Sequence, residues 1–238
     1  VSLMLSAQRN ISGVTFPLPS ASGDNSHAWD KLGQKLKEAN SEYCVSSLKK
    51  HKTHYQLISA IFAHSPYLTR LITRYSEFFM ALVENGCEQT LISYRKNTDC
   101  LNSDDLASLK STLRVHKAKG ALLCAWADLT ASWSLARTTQ LLTEIAETSV
   151  QAAIYHLLAT SKEKGDLHYS RMDDSGVIVL GMGKLGGHEL NYSSDIDLIL
   201  LYDDTKLTYN GRHSLQHCLN RLSQDFIAIM QEQTAEGY

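Results

Sequence analysis

Between Gly181 and Gly187 the chain places four glycines in seven residues, and an apolar run flanks this stretch on either side. Val177, Ile178, Val179 and Leu180 precede it and read as a short buried strand. Asp195-Ile196-Asp197 followed by Leu198-Ile199-Leu200-Leu201-Tyr202 reads as a second strand, opening at Asp195. Glycines this dense let the backbone enter left-handed conformations and let a phosphate come close to it. Along a strand, side chains at i and i+2 share a face, so Asp195 and Asp197 are expected to project together, roughly 6–7 Å apart. Two such carboxylates repel and call for a compensating cation, for which a hard divalent ion such as Mg2+ is suited. Ile196 then faces the core. The pattern points to phosphoryl or nucleotidyl chemistry.

Other readings use the same residues. Gly181-Met182-Gly183-Lys184-Leu185-Gly186 fits the G-x-G-x-x-G of dinucleotide-binding folds, with Asp203 and Asp204 about 20 residues on as candidate ribose ligands. Only Gly187 to Ser194 separate the glycines from the next strand, however, and a crossover with its helix needs about 10–12 residues. A phosphate-binding Walker loop is excluded, because no Lys-Ser or Lys-Thr follows the second glycine. A plain tight turn with two solvated aspartates is the remaining alternative.

The order of strand, glycine pair, short connection and Asp-x-Asp resembles the nucleotidyltransferase superfold. The wording from Gly181 through Gly186-Gly187-His188-Glu189-Leu190-Asn191-Tyr192-Ser193-Ser194-Asp195-Ile196-Asp197-Leu198-Ile199 resembles the signature of the bifunctional glutamine synthetase adenylyltransferase/adenylyl-removing family. That family carries two copies of the domain. The Glu-Leu-Asn-x-Ser-Ser-Asp wording is similar to the N-terminal, adenylyl-removing copy; the adenylylating copy usually has Thr where Asn191 stands. Ser65-Pro66-Tyr67-Leu68 and the segment from Arg114 to Asp128-Leu129 are similar to phrases of the same N-terminal half.

The rest of the chain reads as helix. Residues 1–27 hold Pro17 and Pro19 among scattered serines and are read as a leader. Residues 28–165 form a helical region, and 166–238 a partial nucleotidyltransferase core. Short amphipathic pieces are expected over 43–48 and 55–62. Ser65-Pro66 starts a helix whose apolar positions run from Tyr67 to Leu82, and Gly86 is expected to stop it. Asn102 to Asp105 cap another helix. In the next, Arg114, His116, Lys117 and Lys119 are read as a solvated basic face. A long helix spans 142–157, and Ser161 to Ser170 is read as a polar linker, with strands appearing only after 175. Asn210-Gly211 signals a turn before an amphipathic helix from Leu215 to Met230. His213 and His217 lack a third ligand and are read as helix surface. The fold class is therefore mostly α with a small α/β part.

Composition narrows the classes of partner. A formal net charge of −2 gives no general field for nucleic acid. Five unpaired-looking cysteines argue against a disulfide framework, and no apolar run approaches the 18 residues of a membrane span. A cytoplasmic setting is the expectation.

The resemblance implies an enzyme that removes AMP from an adenylylated tyrosine of glutamine synthetase by magnesium-dependent phosphorolysis, releasing ADP. The same chemistry in the other direction, ATP-dependent adenylylation, is the alternative within the family; a dinucleotide-dependent oxidoreductase or a non-catalytic interaction module are alternatives outside it. Asp195 and Asp197 would hold Mg2+, and Gly186, Gly187, Ser194 and Lys184 would hold phosphate. Glutamine synthetase and the PII signal protein are the implied partners, adenine nucleotide and phosphate the ligands, and glutamine the effector. Such sites take a third carboxylate from a later strand, in a phrase like D-x-R-L-R-P. The residues up to Thr234-Ala235-Glu236-Gly237-Tyr238 do not contain it, so the chain on its own is expected to be inactive.

Overall fold

A computed structural model describes residues 25–97, 101 and 105–232. The leader up to residue 24, the capping residues 102–104 and the stretch 233–238 lie outside the described residues. The fold class agrees with the sequence: helices dominate, with two small two-stranded sheets. No helix of the described residues is long and apolar enough to cross a membrane.

The chain packs as two compact units, and this division cuts across the linear one at residue 165. One unit comprises the residues up to Arg95 together with Ala118–Thr138; the other comprises Lys96–Lys117 and Thr139 onward. Helices thus contribute to both.

The first unit holds α1 (Ser26–Glu38), α2 (Val45–Lys50), α3 (Lys52–His64), α4 (Pro66–Arg74) and α5 (Ser76–Lys96). Trp29 on α1 stacks on Tyr55 at 4.9 Å and meets Phe62 edge-on, while its indole N–H donates to Ser59. Pro66 is indeed the first helical residue, and the Ser65 hydroxyl accepts from the Leu68 N–H, as a cap should. The helix expected from Tyr67 to Leu82 is instead two. The backbone leaves helical geometry at Tyr75 (φ −111°, ψ 47°), and Tyr67 is exposed rather than in the core. Apolar spacing continues through the break, so periodicity alone cannot register it. Gly86 does leave the helix (φ 80°), but the chain resumes helical geometry and runs on to Lys96.

The second unit carries the site. It contains the N-terminal half of α6 (Leu106–Leu129), most of α7 (Leu135–Glu163), β1 (Leu167–His168), a 3-10 turn at Met172–Asp174, β2 (Val177–Gly181), α8 (Gly183–Gly186), β3 (Leu198–Tyr202), β4 (Thr208–Tyr209) and α9 (Leu215–Gln231). Asp105 caps α6 by accepting from the Ser108 N–H at 2.8 Å. The expected linker at 161–170 is partly structure: α7 continues to Glu163, and β1 pairs antiparallel with β4, Leu167 opposite Tyr209. Leu167 is fully buried there, which a solvated linker does not allow.

β2 and β3 pair antiparallel, with Val177 opposite Tyr202 and Gly181 opposite Leu198. Val177, Val179, Leu198 and Leu200 face inward, onto a core that includes Leu158, Leu222, Phe226 and Ile229. α9 supplies the last three, as its apolar stripe leads one to expect. The hairpin's other face, with Ile178, Leu180, Ile199 and Leu201, is exposed.

Two residues read as a solvated basic face are instead buried. Arg114 is only 4% exposed, and its guanidinium donates to the carbonyls of Ile229 at 2.7 Å and Glu232 at 2.6 Å. It closes the C-terminal end of α9, where helical carbonyls lack intrahelical donors. Lys110 pairs with the Glu232 carboxylate nearby. His116 is 8% exposed, and burial pushes its imidazole down to about 4.

Candidate functional site

The glycine turn begins where the hairpin ladder ends. After the Gly181–Leu198 pair, one further bond forms as the Met182 N–H donates to the Asp197 carbonyl at 2.8 Å. Gly183 then takes φ +55°, and the chain enters the single turn of α8. Gly186 is required by contact: a Cβ there would sit 2.4 Å from the Gly181 carbonyl oxygen. The turn therefore folds flat against the strand it has just left. Leu185 is buried and anchors it.

β3 opens at Leu198, three residues later than the sequence suggests, because the partner strand turns away after Gly181 and leaves Asp195 and Ile196 without a ladder. The strand-like alternation of faces nonetheless persists. Asp195 and Asp197 are both exposed, while Ile196 between them packs on the core with Leu198 and Leu200. Asp197 Oδ2 lies 3.6 Å from where a Cβ on Gly183 would stand, so its carboxylate leans over the glycine turn.

The glycine amides differ from expectation. The Gly186 N–H donates to the Met182 carbonyl at 3.2 Å and the Gly187 N–H to the Gly183 carbonyl at 3.0 Å. Both donors are used in closing the turn. What these glycines bring to a ligand is the lack of a side chain. Polar donors come instead from Lys184 and Ser194, which converge on the side chain of Asn191: Ser194 Oγ donates to Asn191 Oδ1, and Lys184 Nζ lies 3.5 Å from the same oxygen.

The loop from His188 to Ser194 is pinned to α7. The Leu190 N–H donates to Thr143 Oγ1 at 3.3 Å, Leu190 itself is buried, and His188 Nδ1 lies 3.7 Å from Glu147. Thr143 and Glu147 carry no motif and stand more than forty residues away, so sequence reasoning missed them. Asn191 lies within the motif without an assigned contact; a carboxamide in the short loop between Lys184 and Ser194 is the signal that was available.

The arrangement fits some chemistries and excludes others. Antiparallel pairing of β2 with β3, joined by a four-residue helix and a loop, rules out the parallel crossover of a dinucleotide fold. Asp203 is engaged in its own turn, accepting from the Thr205 N–H at 3.0 Å and from its hydroxyl at 2.6 Å; the Thr205 hydroxyl holds the Asp203 carboxyl below the usual carboxylate range. No group of three or more His, Cys, Asp or Glu side chains able to hold a metal occurs among the described residues. Asp195 and Asp197 alone suit magnesium, which is commonly held by one or two carboxylates and completes its shell with water and phosphate oxygens. His213 and His217 lie side by side at 4.7 Å with no third ligand among the described residues.

A glycine-rich turn beside two exposed carboxylates on a packed hairpin brings open backbone and negative charge together. The profile of the family described as glutamate-ammonia ligase adenylyltransferase matches residues 55–238, and the chain belongs to that family. It is 34% identical over 191 residues to the bifunctional glutamine synthetase adenylyltransferase/adenylyl-removing enzyme of Agrobacterium fabrum, an alignment covering 76% of this chain and 19% of the relative. With the protein of the same name from Bartonella quintana it shares 29% identity over 230 residues, 94% of this chain and 24% of the relative. With that from Bradyrhizobium diazoefficiens the identity is 39% over 142 residues, 58% and 14% respectively. The chain thus spans a quarter or less of these relatives' length.

Proposed function

We propose that this chain forms part of a site that removes AMP from an adenylylated tyrosine of glutamine synthetase by phosphorolysis. The observation that supports the reading is the exposure of both Asp195 and Asp197, with the Asp197 carboxylate beside Gly183. The family supports adenylyl-group chemistry, and the Glu189-Leu190-Asn191-Tyr192-Ser193-Ser194 wording supports the removing direction over ATP-dependent adenylylation.

Asp195 and Asp197 would hold magnesium, which supplies charge neutralisation at the phosphorus and at the departing oxygen. Gly186 and Gly187 leave room for the non-reacting phosphate oxygens, and Lys184 and Ser194 donate to them. An oxygen of inorganic phosphate forms a bond to the AMP phosphorus as the bond from phosphorus to the tyrosine oxygen breaks. The phenolate takes up a proton, leaving tyrosine and ADP. PII protein and glutamine are the proposed regulators, and a third carboxylate is proposed to come from sequence following this segment in the longer relatives.

The test is phosphate-dependent ADP release from adenylylated glutamine synthetase, measured with this chain and with one extended past Tyr238. Asp195→Asn in the extended form is expected to lower the rate at least about a hundredfold. ADP formation by that variant at the unmutated rate would remove the metal role from Asp195.

A further inference from the structure

We infer that Asn191 is a positioning residue that aims Lys184 and Ser194 at one and the same phosphate, an inference that rests on the function proposed above. Lys184 leaves the glycine turn and Ser194 precedes the aspartate pair, so the two donors come from opposite ends of the loop. Their polar atoms nevertheless meet at Asn191 Oδ1. Only the carbonyl end of a carboxamide accepts from an ammonium group, and its two lone pairs can take both donors, so the chemistry of the neighbours fixes which way the amide points. The backbone reinforces the meeting: Ser193 takes φ +55°, which turns the chain so that the Ser194 N–H donates to the Asn191 carbonyl at 3.3 Å.

Without such a hub, neither donor is held in place. Lys184 and Asn191 are exposed, and a free lysine side chain spreads over many rotamers, an entropy it loses when fixed. Asn191 gathers both donors before the ligand arrives. An incoming phosphate oxygen then meets an ammonium and a hydroxyl already together, each able to turn from Asn191 to the ligand, since the ammonium keeps two further protons and the hydroxyl rotates. Asn191 itself need not touch the phosphate.

The experiment titrates inorganic phosphate, with magnesium present, into this 238-residue chain and follows amide chemical shifts from Lys184 to Ser194. Asn191→Ala is expected to weaken phosphate binding about fivefold, the loss of one organising hydrogen bond. In a Lys184→Ala/Ser194→Ala background the same substitution should change affinity less than twofold, because the residues through which it acts are gone. Asn191→Leu, which keeps the side chain's size without an acceptor, should match Asn191→Ala, and unchanged shifts for Val177 to Leu180 verify that the hairpin is intact. An equal loss in both backgrounds would mean that Asn191 only shapes the loop, and no loss in the first would mean that it aims nothing; either overturns the inference alone. If the unsubstituted chain shows no phosphate-induced shifts from Lys184 to Ser194, no phosphate is held there and this inference falls, whereas the phosphorolysis reading stands or falls separately on ADP release by the extended form.

Discussion

Gly186→Ala tests how closely the glycine turn lies on β2. A Cβ at this position stands 2.4 Å from the Gly181 carbonyl oxygen and 3.2 Å from its carbon. Even close C–H···O contacts keep carbon and oxygen roughly 3.3 Å apart, so strand and turn must part by about 0.9 Å. The obstacle is backbone on a paired strand, which cannot swing aside as a side chain could. Overpacking of this kind costs about 1–3 kcal/mol. The displacement also pulls on the Met182–Asp197 bond and on the 3.6 Å approach of Asp197 to Gly183. Gly187→Ala is the internal control: its Cβ comes no nearer than 3.4 Å to the Gly183 oxygen, and its φ of −83° suits any residue. That substitution should be neutral or stabilise by about 0.5 kcal/mol through the unfolded chain. Thermal and urea unfolding of the two variants, with amide shifts of Met182 and Asp197 as the local probe, make the comparison. Equal stability of Gly186→Ala and Gly187→Ala, with unmoved Met182 and Asp197 signals, would refute the packing argument.

Three further outcomes are expected. Arg114→Met keeps the buried stem but leaves the carbonyls of Ile229 and Glu232 without their donor; it should cost about 2–3 kcal/mol in urea unfolding and raise amide exchange in the last turn of α9. Thr143→Val strands the Leu190 N–H and should cost about 1–2 kcal/mol, with faster exchange at Leu190 as the specific sign. His116 is held neutral by burial, down to about 4 against an ordinary 6.5, so between those values the unfolded chain binds the proton first. Stability should therefore fall as pH drops from 6.5 toward 4, by up to about 3 kcal/mol from this residue, and the fall in melting temperature over that window should shrink in His116→Gln.

The sequence was most legible where pattern and partner lie close together. Both strands of the hairpin announce themselves as apolar runs, and the alternation of exposed Asp195 and Asp197 with half-buried Ile196 and Leu198 is legible although the ladder begins only at Leu198. The start of β3 was misplaced because ladder length depends on where the other strand ends, which is set by Gly183. The break at Tyr75 was hidden because apolar spacing runs straight across it. Arg114 and His116 looked like surface because what covers that part of α6 comes from far along the chain: the carbonyls that Arg114 caps lie 115 residues or more away. Thr143 was invisible for the same reason. Within the candidate site, residue types were readable from the motif, whereas the use of the Gly186 and Gly187 amides inside their own turn was not, since donors look alike until their acceptors are known.

The outer side of the β2–β3 ribbon has a bearing on how such a protein behaves in a tube. Ile178, Leu180, Met182, Ile199 and Leu201 are each between 43% and 46% exposed and form a continuous oily plate on the outer side of this two-stranded ribbon. An apolar surface of this kind favours association in concentrated solution. Lysine at Ile178 or Ile199 would place charge on that plate while leaving the inward Val179 and Leu200 untouched, giving a chain that stays dispersed at spectroscopic concentrations.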